Sequence, residues 1–194
     1  MTNDPRPLFG RAAEQAAELV RSVRAEQLDG PTPCTEFDVR TLLSHLTGAT
    51  HRVAVVGEGG DASAVRPFAE DVPDEGWTAA YDEARTRAVK AWADDDRLDA
   101  VVRLPFGEMP GRAALSAYVL ETVTHTWDLS EALGHPRELD PELAEFALTV
   151  AQRMLPDEQR DENTPFATAR PVPDGAGAYG RLAAWLGREP LSRA

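Results

Sequence analysis

Apolar residues recur along this chain at helical spacing, in stretches separated by Gly, Pro and charged residues. Leu8, Ala12, Ala16, Leu19, Val20 and Val23 predict an amphipathic helix over 7–28, opened by Pro5 and Pro7 and closed by Gly30-Pro31. Pro31-Thr32-Pro33-Cys34 is a stiff extended turn. Thr35 to Asp38 offer capping side chains just ahead of Val39. Val39, Leu42, Leu43, Leu46, Ala49 and Val53 then mark the buried stripe of a second helix, ended by Gly57, Gly59 and Gly60. Residues 61–76, broken by Pro67 and Pro73, read as loop. Trp77, Tyr81, Ala84, Ala88 and Trp92 define a third helix, and the run Asp94-Asp95-Asp96-Arg97 reads as its solvated end. The β-branched stretch 100–104 is extended and 106–111 reads as a turn, so together they make a small hairpin or a plain connector. A fourth helix covers 113–129 and stops at Gly134, with Pro136 beyond it. Asp140 caps a fifth helix through Phe146, Val150 and Met154. Residues 156–177 read as loop, and a last short helix over 178–186 carries Leu182 and Trp185.

The fourth helix differs from the others. Ala114, Ala117, Tyr118, Glu121, His125, Asp128 and Leu129 share one face at about 100° per residue, while Leu115, Val119, Leu120, Val123 and Trp127 cover the rest. A helix apolar on nearly every side is a buried helix. Glu121, His125 and Asp128 therefore sit inside, and no Lys or Arg lies between Arg112 and Arg137 to neutralise them. Buried without partners, such groups cost several kcal/mol each. A metal cation is the least costly partner for a carboxylate and an imidazole together.

These elements predict an all-α four-helix bundle with a small extended or hairpin segment and a short C-terminal extension. Residues 1–155 would form the bundle and 156–194 an extension packed on it, within a single domain overall. Bundles build metal sites from inward side chains of facing helices. His45 lies three residues after Leu42 and four before Ala49, so it points inward with them; His51, about 240° further round, does not. Alone, His45 reads as a hydrogen-bonded core histidine, and Glu121 as half of a buried ion pair. Taken with His125 one turn beyond Glu121, they form a set of two imidazoles and a carboxylate that leaves coordination positions open, as catalytic zinc sites do. The same set suits non-haem iron. Asp128 is expected to support the site, by orienting a ligating imidazole or bonding nearby backbone, rather than to form it. His51 and His135 read as surface or loop residues, and Cys34 as a small buried apolar residue.

Composition narrows the field. Hydrophobic residues at 42% and charged residues at 27% suit a globular protein. A net charge of −13 repels phosphate backbones and argues against nucleic-acid binding. No run is apolar enough to span a membrane, and the N-terminal MTNDPRPLFGR lacks the pattern of a signal peptide, so a cytoplasmic protein is expected. A single cysteine excludes an internal disulfide or a multi-cysteine zinc site. The abundance of Ala and Arg, with Lys90 the sole lysine, suggests a GC-rich genome.

Thr32-Pro33-Cys34-Thr35-Glu36-Phe37-Asp38-Val39-Arg40, followed by Leu43, His45 and Leu46, resembles the first signature of the mycothiol-dependent maleylpyruvate isomerase-like proteins, part of the wider DinB-like group. Leu104 to Gly111 and His125-Thr126-Trp127-Asp128-Leu129 resemble the second. Pro165-Phe166, Val172-Pro173-Asp174 and Leu186-Gly187-Arg188-Glu189-Pro190 are similar to the tail of an actinobacterial, metal-binding, stand-alone branch. The resemblance implies a DinB-like bundle holding one divalent metal through His45, Glu121 and His125. Zinc is the expected ion, with nickel, iron or manganese as alternatives. It implies mycothiol as a cofactor, held by the metal as a thiolate, and a transferase or isomerase acting on a small electrophile. The isomerase also carries a further C-terminal domain, whereas this sequence ends at Ala194, so maleylpyruvate isomerisation itself is not expected. Phe37 stands where the related pattern often has Trp. Rival readings are a metal-dependent hydrolase and a non-enzymatic metal-binding bundle, a sensor or interaction module. The expected partners are a small-molecule thiol and its electrophilic substrate, with no nucleic acid and no membrane, and the expected state is monomer or homodimer.

Overall fold

The structure, a computed structural model, describes residues 4–105, 107–135, 138–160 and 166–192. Phe106, Pro136 and Pro165, each noted in the sequence, lie outside the described residues. Helices α1 (Arg6–Ser22), α2 (Val39–Gly57) and α3 (Trp77–Ala91) are followed by a one-turn helix α4 (Asp96–Asp99). An antiparallel hairpin comes next, β1 (Val101–Leu104) with β2 (Gly107–Pro110), then the long helix α5 (Gly111–Leu133), α6 (Pro141–Met154) and α7 (Ala178–Trp185). Among the described residues, no helix is long and apolar enough to cross a membrane.

α1, α2, α3 and α5 form a closed ring, in which α1 touches α3 and α5 while α2 touches α3 and α5. α6 lies outside the ring against α5, and α7 packs on α6. This is the all-α bundle with a small hairpin that the resemblance implied. Met154 of α6, expected within its helix's apolar pattern, is 36% exposed, but Leu42 and Leu43 of α2, Leu115 and Leu129 of α5 and Leu182 of α7 are essentially buried as predicted, and Leu143 of α6 joins them. Each of these leucines contributes about 1.5–3 kcal/mol through removal from water. Helix α5 is buried on most of its surface, as its apolar circumference required.

Several boundaries differ from the sequence reading. α1 ends at Ser22, not near residue 28, because Val23 turns extended with ψ 133° and the Ser22 hydroxyl donates to the Leu19 carbonyl. Leu28 still reaches the core, at 1% exposure, by way of a short 3-10 turn over Ala25–Gln27. Of the two options for 100–111, the hairpin is observed. Gly107–Pro110 is a strand rather than part of the turn, since Met109 opposite Val102 packs on the core. The acidic run at 94–96 is not merely a frayed helix end: it leads into α4, whose Leu98 is buried. α5 starts at Gly111, earlier than predicted, where a Cβ would collide with the Arg97 carbonyl. Glycine there lets the first turn lie against α4.

The loop over 61–76 is fastened along α2. Ala69 donates its amide to the Ser44 carbonyl at 2.9 Å, and the Ser44 hydroxyl donates to the Ala69 carbonyl at 2.8 Å. Arg52 donates from Nε and Nη2 to the Val65 carbonyl. The closeness requires Gly48, where a Cβ would stand 2.5 Å from the Phe68 backbone nitrogen. This places Phe68 against the ring of His45, with centroids 5.1 Å apart.

Candidate metal centre

Asp38 caps α2 by accepting from the Thr41 amide at 2.7 Å, and the helix then carries His45 inward to face α5. There the spacing Glu121 to His125 puts both side chains on adjacent turns of one face. The three meet. His45 Nε2 lies 2.8 Å from Glu121 Oε1, and His125 Nε2 lies 3.6 Å from the same oxygen. The two imidazole rings stand 4.8 Å apart at 81°. Donors about 2.1 Å from a shared ion stand roughly 3.4 Å apart in a tetrahedron, so the observed separations suit one divalent cation after small adjustments. Phe37 packs on both imidazoles, at 5.3 and 6.2 Å, and Phe68 completes an apolar collar around His45.

Asp128 stands behind His125. Its Oδ2 lies 2.9 Å from His125 Nδ1, leaving Nε2 turned toward Glu121. A carboxylate behind an imidazole in this way is the arrangement that, in metal sites generally, orients a ligating histidine and raises its basicity. Asp128 has no solvent exposure, and its other oxygen, Oδ1, lies 3.3 Å from Nε of Arg188, itself 12% exposed. The cation missing from the neighbourhood of α5 in the sequence thus arrives from beyond α7. Arg188 also lies over the Phe166 ring, 5.8 Å from its centroid.

The electrostatics follow from these contacts. Burial works against ionisation of Glu121, but the hydrogen bonds and charges of His125 and His45 overcome it and hold the carboxyl well below its ordinary range. Burial also works against a charged His125, yet Asp128 and Glu121 raise its pKa to about 9. A folded-state pKa raised above the unfolded 6.5 contributes stability that is complete below pH 6.5 and lost as pH rises through 9. Chelator-treated protein should therefore melt at progressively lower temperature between pH 6.5 and 9, and Asp128→Asn should flatten that slope. A melting temperature level across this range would show that the His125 proton is not held by these carboxylates.

Cys34, His125 and Asp128 form a second group close enough to hold an ion, sharing His125 with the first. All three residues are buried, burial pushes the Cys34 thiol up, and Asp128 already faces Arg188. The first group is the open one. Glu121 keeps 31% of its side chain exposed, and His45 and Glu121 help to line a cleft of about 560 Å³. Its walls come from α2, α5, the hairpin, the end of α6 and Phe166.

His45, Glu121 and His125, singled out by periodicity, are thus brought together, and of these three Asp128 contacts His125. His51 lies away from them, 3.4 Å from Arg87 Nη1. Sequence reasoning missed Arg188, Phe68 and Arg52. Arg188 did carry a signal, since it lies in the distinctive Leu186-to-Pro190 stretch.

The description of the mycothiol maleylpyruvate isomerase N-terminal domain matches residues 9–130. Uncharacterized proteins of two Mycobacterium tuberculosis strains, H37Rv and CDC 1551, are each 36% identical over 185 residues, covering 95% of this chain and 98% of the relative. No solved structure matches the chain.

Proposed function

This chain belongs to the mycothiol maleylpyruvate isomerase N-terminal domain family, and from that membership we propose that it is a divalent-metal enzyme using mycothiol against a small electrophile, by S-transfer or isomerisation. The observation that supports this best is the convergence of His45, Glu121 and His125, the first two lining a cleft and His125 held from behind by Asp128. Zinc is the first choice of ion, ahead of nickel, iron or manganese. When bound, the ion supplies the charge that lowers the pKa of a thiol toward neutrality.

The chain's own residues do the rest. Glu121 provides negative charge beside the two imidazoles, each of which would give up its proton on the ligating nitrogen to hold an ion. Asp128 accepts a hydrogen bond from His125 Nδ1–H and so would turn the Nε2 lone pair toward the centre. Phe37 and Phe68 keep water from the flanks of His45. The partly exposed Glu121 leaves a side of the centre open to the cleft, which favours a catalytic over a structural ion. A hydrolase using metal-activated water would need the same opening.

The second reading, a metal-stabilised bundle without catalysis, draws on the buried Cys34, His125 and Asp128 group, which could enclose an ion. Elemental analysis combined with a thermal-shift screen of thiols separates the two. The proposed function expects stoichiometric metal, and a rise in melting temperature with mycothiol that disappears after chelation. Stoichiometric metal with no response to any thiol would favour the non-catalytic reading. Absence of metal, with a melting temperature indifferent to chelator, would sink both.

A further inference from the structure

The cleft beside His45 and Glu121 is apolar over most of its wall, where Leu104, Pro105, Leu120, Met154, Leu155 and Phe166 line it. Polar groups are few: His45 and Arg52 from α2, and Tyr118 and Glu121 from α5. Arg52 follows His45 by two helical turns on the same face of α2, about 10 Å along the axis. Tyr118 precedes Glu121 by nearly one turn on α5. Both line the cleft, and the Arg52 charge acts on the Tyr118 hydroxyl.

Each has unused capacity. Among the described residues, the Tyr118 hydroxyl is buried with no hydrogen-bond partner. Arg52 spends Nε and Nη2 on the Val65 carbonyl, and no described carboxylate pairs with it. In a chain of net charge −13, where surface arginines such as Arg11, Arg21, Arg40, Arg85 and Arg87 are paired with acids, a cleft-lining guanidinium with no ion pair among the described residues is selective. A buried hydroxyl and a cation with no described carboxylate partner, near enough for the Arg52 charge to act on Tyr118, together match a carboxylate: one oxygen accepts from Tyr118 Oη and the other from Arg52 Nη1.

We infer that this cleft binds its small-molecule substrate as a carboxylate, read by Arg52 and Tyr118, with an apolar body lying along the wall and its reacting end toward His45 and Glu121. The inference rests on the proposed function for what happens at the reacting end. The apolar wall points to a molecule with a single anionic group and a hydrocarbon or aromatic middle, since a second carboxylate would have no described cation along that wall.

The test compares 4-phenylbutyrate with its neutral amide, by calorimetry on the metal-analysed protein and on two variants. Arg52→Gln removes the charge but keeps a donor for the Val65 carbonyl, so the loop can stay docked. Tyr118→Phe removes only the hydroxyl, and carries the test alone if Arg52→Gln is unstable. The wild type should prefer the carboxylate by roughly 10–100-fold. Arg52→Gln should abolish the preference and Tyr118→Phe should reduce it several-fold, with metal content unchanged in both. Equal binding of acid and amide by the wild type would overturn the inference. So would a preference that survives both substitutions, because the ion rather than this wall would then be reading the carboxylate. Preference without stoichiometric metal would overturn the metal chemistry and leave the anion subsite standing.

Discussion

Replacing His125 by Ala should abolish stoichiometric metal binding and lower the melting temperature by about 10 °C even in chelator-treated protein. The thermal part follows from what His125 leaves behind. Its ring is buried between Glu121 and Asp128, and Asp128 has no exposure through which water could take the partner's place. Breaking a buried pair by removing one member costs about 3–5 kcal/mol, and in a chain of this length each kcal/mol shifts the melting temperature by roughly 2–4 °C. Elemental analysis and thermal unfolding read the two effects separately. Because His125 belongs to both candidate groups, two companion variants are needed: His45→Ala should lose the metal and Cys34→Ser should keep it. The reverse pattern would place the ion in the closed group with Cys34, and the catalytic reading would fail.

Replacing Arg188 by Met should weaken metal binding by roughly 10–100-fold and destabilise the fold by about 2–3 kcal/mol. Arg188 touches none of the three proposed ligands; it faces the oxygen of Asp128 that is turned away from His125. Without it the carboxylate is buried beside a single imidazole, whose orientation then loses its support. The double variant Arg188→Met with Asp128→Asn should recover part of the stability, since the uncompensated charge is gone, but little of the metal affinity. A double-mutant cycle on melting temperature and on zinc dissociation constant measures this coupling. Additive effects on both would mean that the two residues do not act as a unit.

The sequence shows His45, Glu121 and His125 because each obeys a local rule. His45 falls within an apolar stripe, and the other two are one turn apart in a helix with no polar side to carry them. The same rules locate α2, α3, α6 and α7. They mislead at the end of α1, where Val23 continues the periodicity although the chain has turned extended, and at 107–110, where Gly and Pro suggest a turn but Met109 completes a strand pairing. Arg188 obeys no local rule. Its partner lies in another helix, and an ion pair between distant segments leaves no periodic trace. Arg52 is an intermediate case. It sits seven residues after His45, and so on the same face, but a charged residue on an otherwise apolar stripe is ordinarily read as the stripe's edge rather than as part of a cleft.

The pairing of Asp128 with Arg188 also orders events in time as the protein is made. The ribosome delivers α5, with its buried carboxylate, well before it delivers the arginine beyond α7. A nascent chain can therefore assemble the α1, α2, α3 and α5 ring while Asp128, behind His125, still lacks its arginine. The centre is finished only when the final segment has emerged and folded back.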